Sequence, residues 1–345
     1  MKLRSLFAQR KNNPVYIIAE IGGNFFTYKE AVKLIDAAKD AGVDCIKLQT
    51  YRAQTIVTRN ALFDMENTGK ILQYDYFKKR ELSKDLHKKI FDYAATKGLD
   101  WFSTPSHETD VDMLASLGVR AYKVGADDAV NIPFLRHLAR KKVPIFLSTG
   151  MCTLEEVRGS VAAIRREGNN KIVIMHTVSV YPTHPGQVNL NAIKTLQKEF
   201  PGFVIGYSDH TQSGLACVAA TVLGARVIEK HFTLNKKAKG PDHMLSADPA
   251  EMKSIVGSIR MVEKMLGPGI KKPVAQELKN RINNRKSIVA VRDIKKGESF
   301  SAENLSFKRP GTGIPPKRLS RLLGKKAKRD IREDELVKWE DFNER

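Results

Sequence analysis

Two histidines close apolar runs in the second half of the chain. His210 stands in GYSDHT (206–211), behind Phe203, Val204 and Ile205, and His231 stands in VIEKHFT (227–233). Imidazole is the commonest side-chain ligand for a divalent transition metal, so two such rings on neighbouring segments suit a metal site. Its other positions would be filled by water or a substrate oxygen, as a Lewis-acid catalyst needs. Taken singly, either histidine also reads as a satisfied polar residue of a loop. Three lysines hold comparable places: Lys47 in CIKLQT, Lys123 in AYKVGA and Lys230 beside His231. One lysine at a strand end can snorkel to solvent. Three around one mouth, with Ser148, Thr149 and Ser208, suit a cradle for a small polyanion bearing phosphate and carboxylate groups. Glu20 reads either as the ion-pair partner of these cations or as a carboxylate with a shifted pKa that moves a proton.

The elements that must position these groups follow from periodicity. Eight short β-rich runs occur at 16–22, 45–50, 100–105, 121–126, 144–150, 171–178, 203–210 and 227–233. Between them lie segments such as YKEAVKLIDAAKDAG and SGLACVAATVLGA, with apolar residues at helical spacing and glycine near the stop. Continuous apolar strands, each followed by a helix, predict a parallel sheet, and eight such units predict a closed (β/α)8 TIM barrel. A last helix from Asp248 to Gly267 would complete the ring. The competing open doubly wound sheet lacks its fingerprint, since EIGGNF after the first strand is too short for a dinucleotide loop. In a barrel the active site lies at the C-terminal strand ends, where every residue named above falls.

Beyond Gly267 the texture changes. Residues 268–284 read as a polar linker, and 285–345 as a small β-rich domain with turn signals at close spacing. The domains are therefore 1–267, the catalytic barrel, and 285–345, joined by that linker.

Composition excludes several classes. Three cysteines without paired or CxxC spacing argue against a disulfide framework or zinc ribbon and for a reducing, cytoplasmic setting. No segment approaches a membrane span or a signal peptide, so no membrane partner is expected. The net charge of +21 raises nucleic acid as a partner, but the basic residues are spread over helix faces without aromatic interleaving. A solvated basic surface that favours anionic substrates, with no nucleic acid, is the preferred reading.

The motifs AEIGGN, IKLQTY, FSTP, AYKVG, LSTGM, VYPT, GYSDHT, EKHFT and GPD occur in the order found in the sialic acid synthase family, which the chain resembles over nearly its whole length. The stretch from AVRDIKKGE to KRPGTGIPP resembles the SAF, or antifreeze-like, domain of that family. The resemblance implies a metal-dependent condensation of phosphoenolpyruvate with N-acetylmannosamine or a related amino sugar, giving a nine-carbon 2-keto acid and phosphate with C–O cleavage. It implies a divalent metal, Mn2+ before Mg2+ or Co2+, at His210 and His231. Phosphoenolpyruvate contacts fall on Lys47, Thr104, Lys123, Ser148 and Ser208, with Glu20, Lys47 and Lys123 carrying the chemistry. Gln49, Tyr181 and Asp242 match sugar contacts, Ser179 fits a family variant, and Lys230 joins the substrate set. Arg309 in KRPGTG matches an arginine that reaches the sugar's acyl group across a domain-swapped homodimer.

The chain departs from the family pattern at Phe25, where a histidine is usual, at Ala126, where a serine is usual, and at Thr177-Val178. These changes bear on substrate choice or turnover. Syntheses of legionaminic, pseudaminic or 9-phosphorylated sialic acid, and a non-catalytic carbohydrate-binding paralogue, are the alternatives that remain.

Overall fold

A computed structural model describes residues 2–8, 13–65 and 69–343. The chain divides into two compact units, Met1–Gly267 and Pro268–Arg345. In the first, eight parallel strands close into a barrel in the cyclic order β1-β8-β7-β6-β5-β4-β3-β2. They are β1 (Tyr16–Glu20), β2 (Cys45–Thr50), β3 (Asp100–Pro105), β4 (Tyr122–Val124), β5 (Ile145–Ser148), β6 (Ile172–His176), β7 (Val204–Asp209) and β8 (Val227–His231). Each lies within one of the eight apolar runs.

Side chains alternate across the barrel wall, as the pleat requires. Ile17, Ala19, Ile46, Leu48, Leu147, Ile174 and Ile228 point outward into the layer shared with the helices. Their neighbours Ile18, Cys45, Phe102, Phe146, Val173, Met175 and Val227 fill the interior. A 3-10 helix, Lys2–Phe7, adds Leu3 and Leu6 to that interior packing. Leu3 N–H and the Tyr16 hydroxyl both donate to Asp100 Oδ2, at 2.9 and 3.1 Å.

The outer helices start where their caps dictate. Thr27, Thr153 and Asp248 each form a reciprocal capping box with a glutamate three residues on, opening Tyr28–Ala41, Leu154–Arg166 and Pro249–Leu266. The β2 loop carries an insert that the periodicity did not signal: an antiparallel hairpin, Leu62–Met65 with Gly69–Leu72, then a short helix, Gln73–Lys78.

In the second unit, residues 268–284 differ from the linker expectation, since Ala275–Asn284 is a helix, at whose start the Val274 N–H donates to Glu277 Oε2 at 2.9 Å. Its residues, the apolar Leu278 and Ile282 included, are exposed and the rest are mostly polar, so no buried stripe marks them as helical. The rest is built on one regular strand pair, Ser287–Ala290 with Leu305–Lys308, and isolated bridges. Ile288, Ile294, Phe300, Ile314, Val337 and Phe342 form its core.

Candidate active site at the C-terminal mouth of the barrel

The inward phase of each strand decides which polar residue enters the barrel mouth. On β1 the inward set Tyr16, Ile18 continues to Glu20; on β2, Cys45 continues to Lys47 and Gln49. By the same count Thr104, Lys123, Ser148, Thr177, Ser208 and His210 face inward, and so do Glu229 and His231. They line a pocket of about 500 Å³, closed on one side by the insert and by Asp242. Gln49, Ser179 and Tyr181 also line it, so twelve of the fourteen barrel residues expected at the site are brought together.

Thr149 is outside the pocket, its Oγ1 donating to Met175 O at 3.0 Å, and the second exception is Lys230. One residue out of phase with Glu229 and His231, it points outward, is 1% exposed, and pairs with Asp209 Oδ2 at 2.8 Å while donating to Thr211 O. Asp209 is outward for the same reason and also accepts from Tyr207 Oη, Thr211 N and Thr211 Oγ1. Lys230 therefore belongs to a buried ion pair outside the mouth and not to the cradle. Arg309 lies in the second unit, exposed, with its guanidinium 3.3 Å from Asn284 Oδ1.

The cradle is thus two lysines and two carboxylates. Lys123 Nζ lies 2.7 Å and Lys47 Nζ 3.8 Å from Glu229 Oε1, which also accepts from Ser208 Oγ at 3.1 Å. Burial alone would raise the Glu229 carboxyl, but Lys123 and Lys47 overcome it and hold it at about 2. Burial loosens the Lys47 proton to about 7, with Glu229 pulling the other way. Lys47 also pairs with Glu20 and donates to Thr104 Oγ1 at 2.8 Å. Glu20 is fixed further by the Gly22 N–H, and a Cβ on Gly22 would stand 2.6 Å from both Glu20 Oε1 and Gln49 N. Sequence reasoning gave Glu229 no role; its even spacing from His231 was the available signal.

The two imidazoles have ring centroids 5.4 Å apart, and Tyr181 stacks on His210 at 4.2 Å. Burial depresses both, His210 to about 4 and His231 well below the usual range, where the neighbouring His210 adds to the effect. Both are neutral at pH 7, the form that ligates a metal. His210 Nδ1 donates to Val178 O at 2.7 Å, which leaves Nε2 as the free lone pair. His231 Nδ1 is buried without a hydrogen bond, 3.8 Å from Asp242 Oδ2. Among the described residues no group of three or more His, Cys, Asp or Glu is placed to hold a metal. The donor pair fits a divalent ion that takes its remaining ligands from solvent or substrate.

Ser179 Oγ and Glu229 Oε2, like His231 Nδ1, are buried pocket atoms without a hydrogen-bond partner. Such groups in a folded protein are normally satisfied, so these three atoms suit polar contacts to a ligand in the pocket. Of the departures, Ala126 lines the pocket, with Asp127 next to it. Phe25 does not; it packs in the outer core, 3% exposed. Sequence reasoning also missed the aromatic wall from Tyr51, Phe63, Tyr76 and Phe77, whose density in residues 51–77 was its signal.

A family model described as the NeuB family matches residues 34–271, and the SAF domain model matches 285–343. The chain is 39% identical to an N,N'-diacetyllegionaminic acid synthase of Legionella pneumophila, over 98% of each chain. It is 38% identical to a pseudaminic acid synthase of Campylobacter jejuni, over 95% of this chain and 96% of that one. A solved N-acetylneuraminic acid synthetase from Leptospira borgpetersenii superposes with a TM-score of 0.71 at 30% identity, covering 78% of this chain and 90% of the other.

Proposed function

The chain belongs to the NeuB family, and from that membership we propose that it condenses phosphoenolpyruvate with N-acetylmannosamine or a related amino sugar in its open-chain aldehyde form. The enol carbon bonds to the aldehyde carbon, whose oxygen takes a proton. Water adds to the carbon that carried the phosphate ester, and phosphate departs with the bridging oxygen, leaving a nine-carbon 2-keto acid.

Lys47 and Lys123, with Thr104, Ser148 and Ser208, hold the phosphate and carboxylate of phosphoenolpyruvate. These anions take over part of the lysines' pairing with Glu229 and leave its carboxylate to the sugar hydroxyls. Glu20, fixed between Lys47 and the Gly22 N–H, orients the attacking water and accepts its proton. Gln49, Tyr181 and Asp242 border the sugar. Burial raises Asp242 to about 6 against the pull of Lys47 and Arg80, so it can exchange a proton near neutrality. A divalent metal, Mn2+ by family resemblance, would be held by His210 and His231 and would polarise the sugar carbonyl as a Lewis acid.

The observation that carries this reading is the shared inward phase of the strand ends, which sets two neutral imidazoles and two lysines at one mouth. By the same membership we assign the chain to the cytoplasm as a homodimer in which Arg309 of one copy reaches the sugar's acyl group in the other. Among the described residues no helix is long and apolar enough to cross a membrane.

The test uses phosphoenolpyruvate labelled at its bridging oxygen, with Mn2+ and a panel of amino sugars. Label in the released phosphate, a keto acid of the summed mass and loss of both on chelation are expected. Label retained in the keto acid, or no sugar-dependent phosphate at all, would overturn the proposal.

A further inference from the structure

Lysines and arginines meet in a groove of the second unit. Lys271, Lys272 and Pro273 line it from the segment ahead of the helix Ala275–Asn284, and Asn280, Arg281 and Arg285 line it from that helix and its C-terminal cap. Glu277, Arg281 and Arg285 follow one another at intervals of four, so they share a helix face. Glu277 is the one carboxylate of the lining, and its Oε2 already accepts the Val274 N–H at 2.9 Å. The groove has a volume of about 510 Å³, the size of a site for a small organic ligand.

Its charge is not balanced as charge is elsewhere in the unit. Arg292 pairs with Glu298 at 2.7 Å, Lys295 with Asp330 at 3.2 Å, and Arg329 with Glu335 and Asp341 at 2.8 and 2.7 Å. Among the described residues, Lys271, Lys272, Arg281 and Arg285 have no ion-pair partner, and all are exposed. The helix dipole accounts for Arg281 and Arg285, which stand at the C-terminal end where cations are favoured. It opposes Lys271 and Lys272, which precede the N-terminal end. Four like charges around one cavity repel one another, and an anion among them relieves that repulsion.

The lining also limits the kind of anion. Among the described residues it holds no aromatic ring on which a base could stack, and Pro273 is its single apolar residue. Recognition rests on guanidinium forks and ammonium groups, the donors that suit phosphate oxygens. A lone orthophosphate reaches only part of such a lining. We infer that the groove is a binding site for a short chain of phosphates, either inorganic tripolyphosphate or the triphosphate arm of a nucleotide, separate from the phosphoenolpyruvate contacts at the barrel mouth.

In the experiment the full-length protein is titrated in a calorimeter, at low salt and without divalent cations, with tripolyphosphate, ATP and orthophosphate. Tripolyphosphate and ATP should bind alike, within about threefold, and orthophosphate at least about tenfold more weakly, because only a chain engages several cations at once. Arg281→Glu should weaken tripolyphosphate by at least about tenfold, and Lys272→Gln, which lies outside the helix and leaves it intact, by about threefold. Lys279→Glu makes the same change in net charge at a helix residue that does not line the groove, and should alter binding by less than about twofold. Lys47→Met, at the barrel mouth, should do as little. Binding that falls equally in Lys279→Glu and Arg281→Glu marks a diffuse basic surface and overturns the site, as does binding lost in Lys47→Met. ATP held tenfold more tightly than tripolyphosphate overturns the assignment to the phosphate chain, and no saturable heat with either overturns the proposal outright. None of these outcomes depends on the synthase reading.

Discussion

Replacing Lys230 by methionine separates the two kinds of buried lysine in this barrel. The substitution keeps the side-chain volume but removes the cation that pairs with Asp209 at 2.8 Å, in a place where Asp209 is 0% exposed. Breaking a buried pair from one side costs about 3–5 kcal/mol, because the remaining charge stays desolvated. Asp209 keeps hydrogen bonds from Tyr207 Oη, Thr211 N and Thr211 Oγ1 at 2.8–3.1 Å, which sets the cost at the lower end, about 3 kcal/mol. For a unit of this size each kcal/mol moves the melting temperature by about 2–4 °C, so a fall of roughly 6–12 °C is expected. The KM for phosphoenolpyruvate should stay within about twofold. Lys47→Met also breaks a buried pair, with Glu20, but unlike Lys230→Met it should weaken substrate binding as well. A hydrogen bond to a charged group contributes about 1.5–3 kcal/mol, so its KM for phosphoenolpyruvate should rise by roughly 10- to 150-fold. Melting followed by circular dichroism, with phosphate release measured well below the transition, reads both quantities. A Lys230→Met enzyme that melts like the parent but binds phosphoenolpyruvate tenfold more weakly would refute the parity argument on which the site is built.

Lys47 holds its proton only to about pH 7 in the free protein, so its charge is present below that value and lost above it. The kcat/KM for phosphoenolpyruvate should fall about tenfold per unit above pH 7, and a flat profile from pH 6.5 to 9 would exclude Lys47 as an anion contact. Gly22→Ala places a Cβ 2.6 Å from Glu20 Oε1 and Gln49 N, displacing both; kcat should drop by about 100-fold, read as initial rates at saturating substrates. Phe25→His restores the family residue but sets an imidazole in the outer core; chemical denaturation should show a loss of about 1–3 kcal/mol, with no gain in kcat.

The barrel was legible because its strands are continuous apolar runs with capped helices between them, and the eight observed strands lie within those runs. The site was legible because polar residues at strand ends have few other reasons to be there. Lys230 was misplaced because nearness to a strand end was counted without parity; Glu229 and His231 share a face that Lys230 cannot. The hairpin at Leu62–Met65 and Gly69–Leu72 left no trace, since its strands are short and largely exposed and lack a regular buried face. The helix Ala275–Asn284 was hidden by the same exposure.

The contrast between the strand ends and the insert after β2 has an evolutionary consequence. Every strand-end residue of the site is tied to the pleat, so inserting or deleting one residue within a strand would turn its polar group out of the barrel, and that part of the sequence can change only by exchange in place. The insert after β2 has no such lock. It enters and leaves at one loop, held by Glu81, which accepts from Ala53 N at 2.9 Å and from Lys78 at 3.1 Å. The segment between Ala53 and Glu81 is thus free to change in length and side chain while the strand-end groups beneath it keep their places.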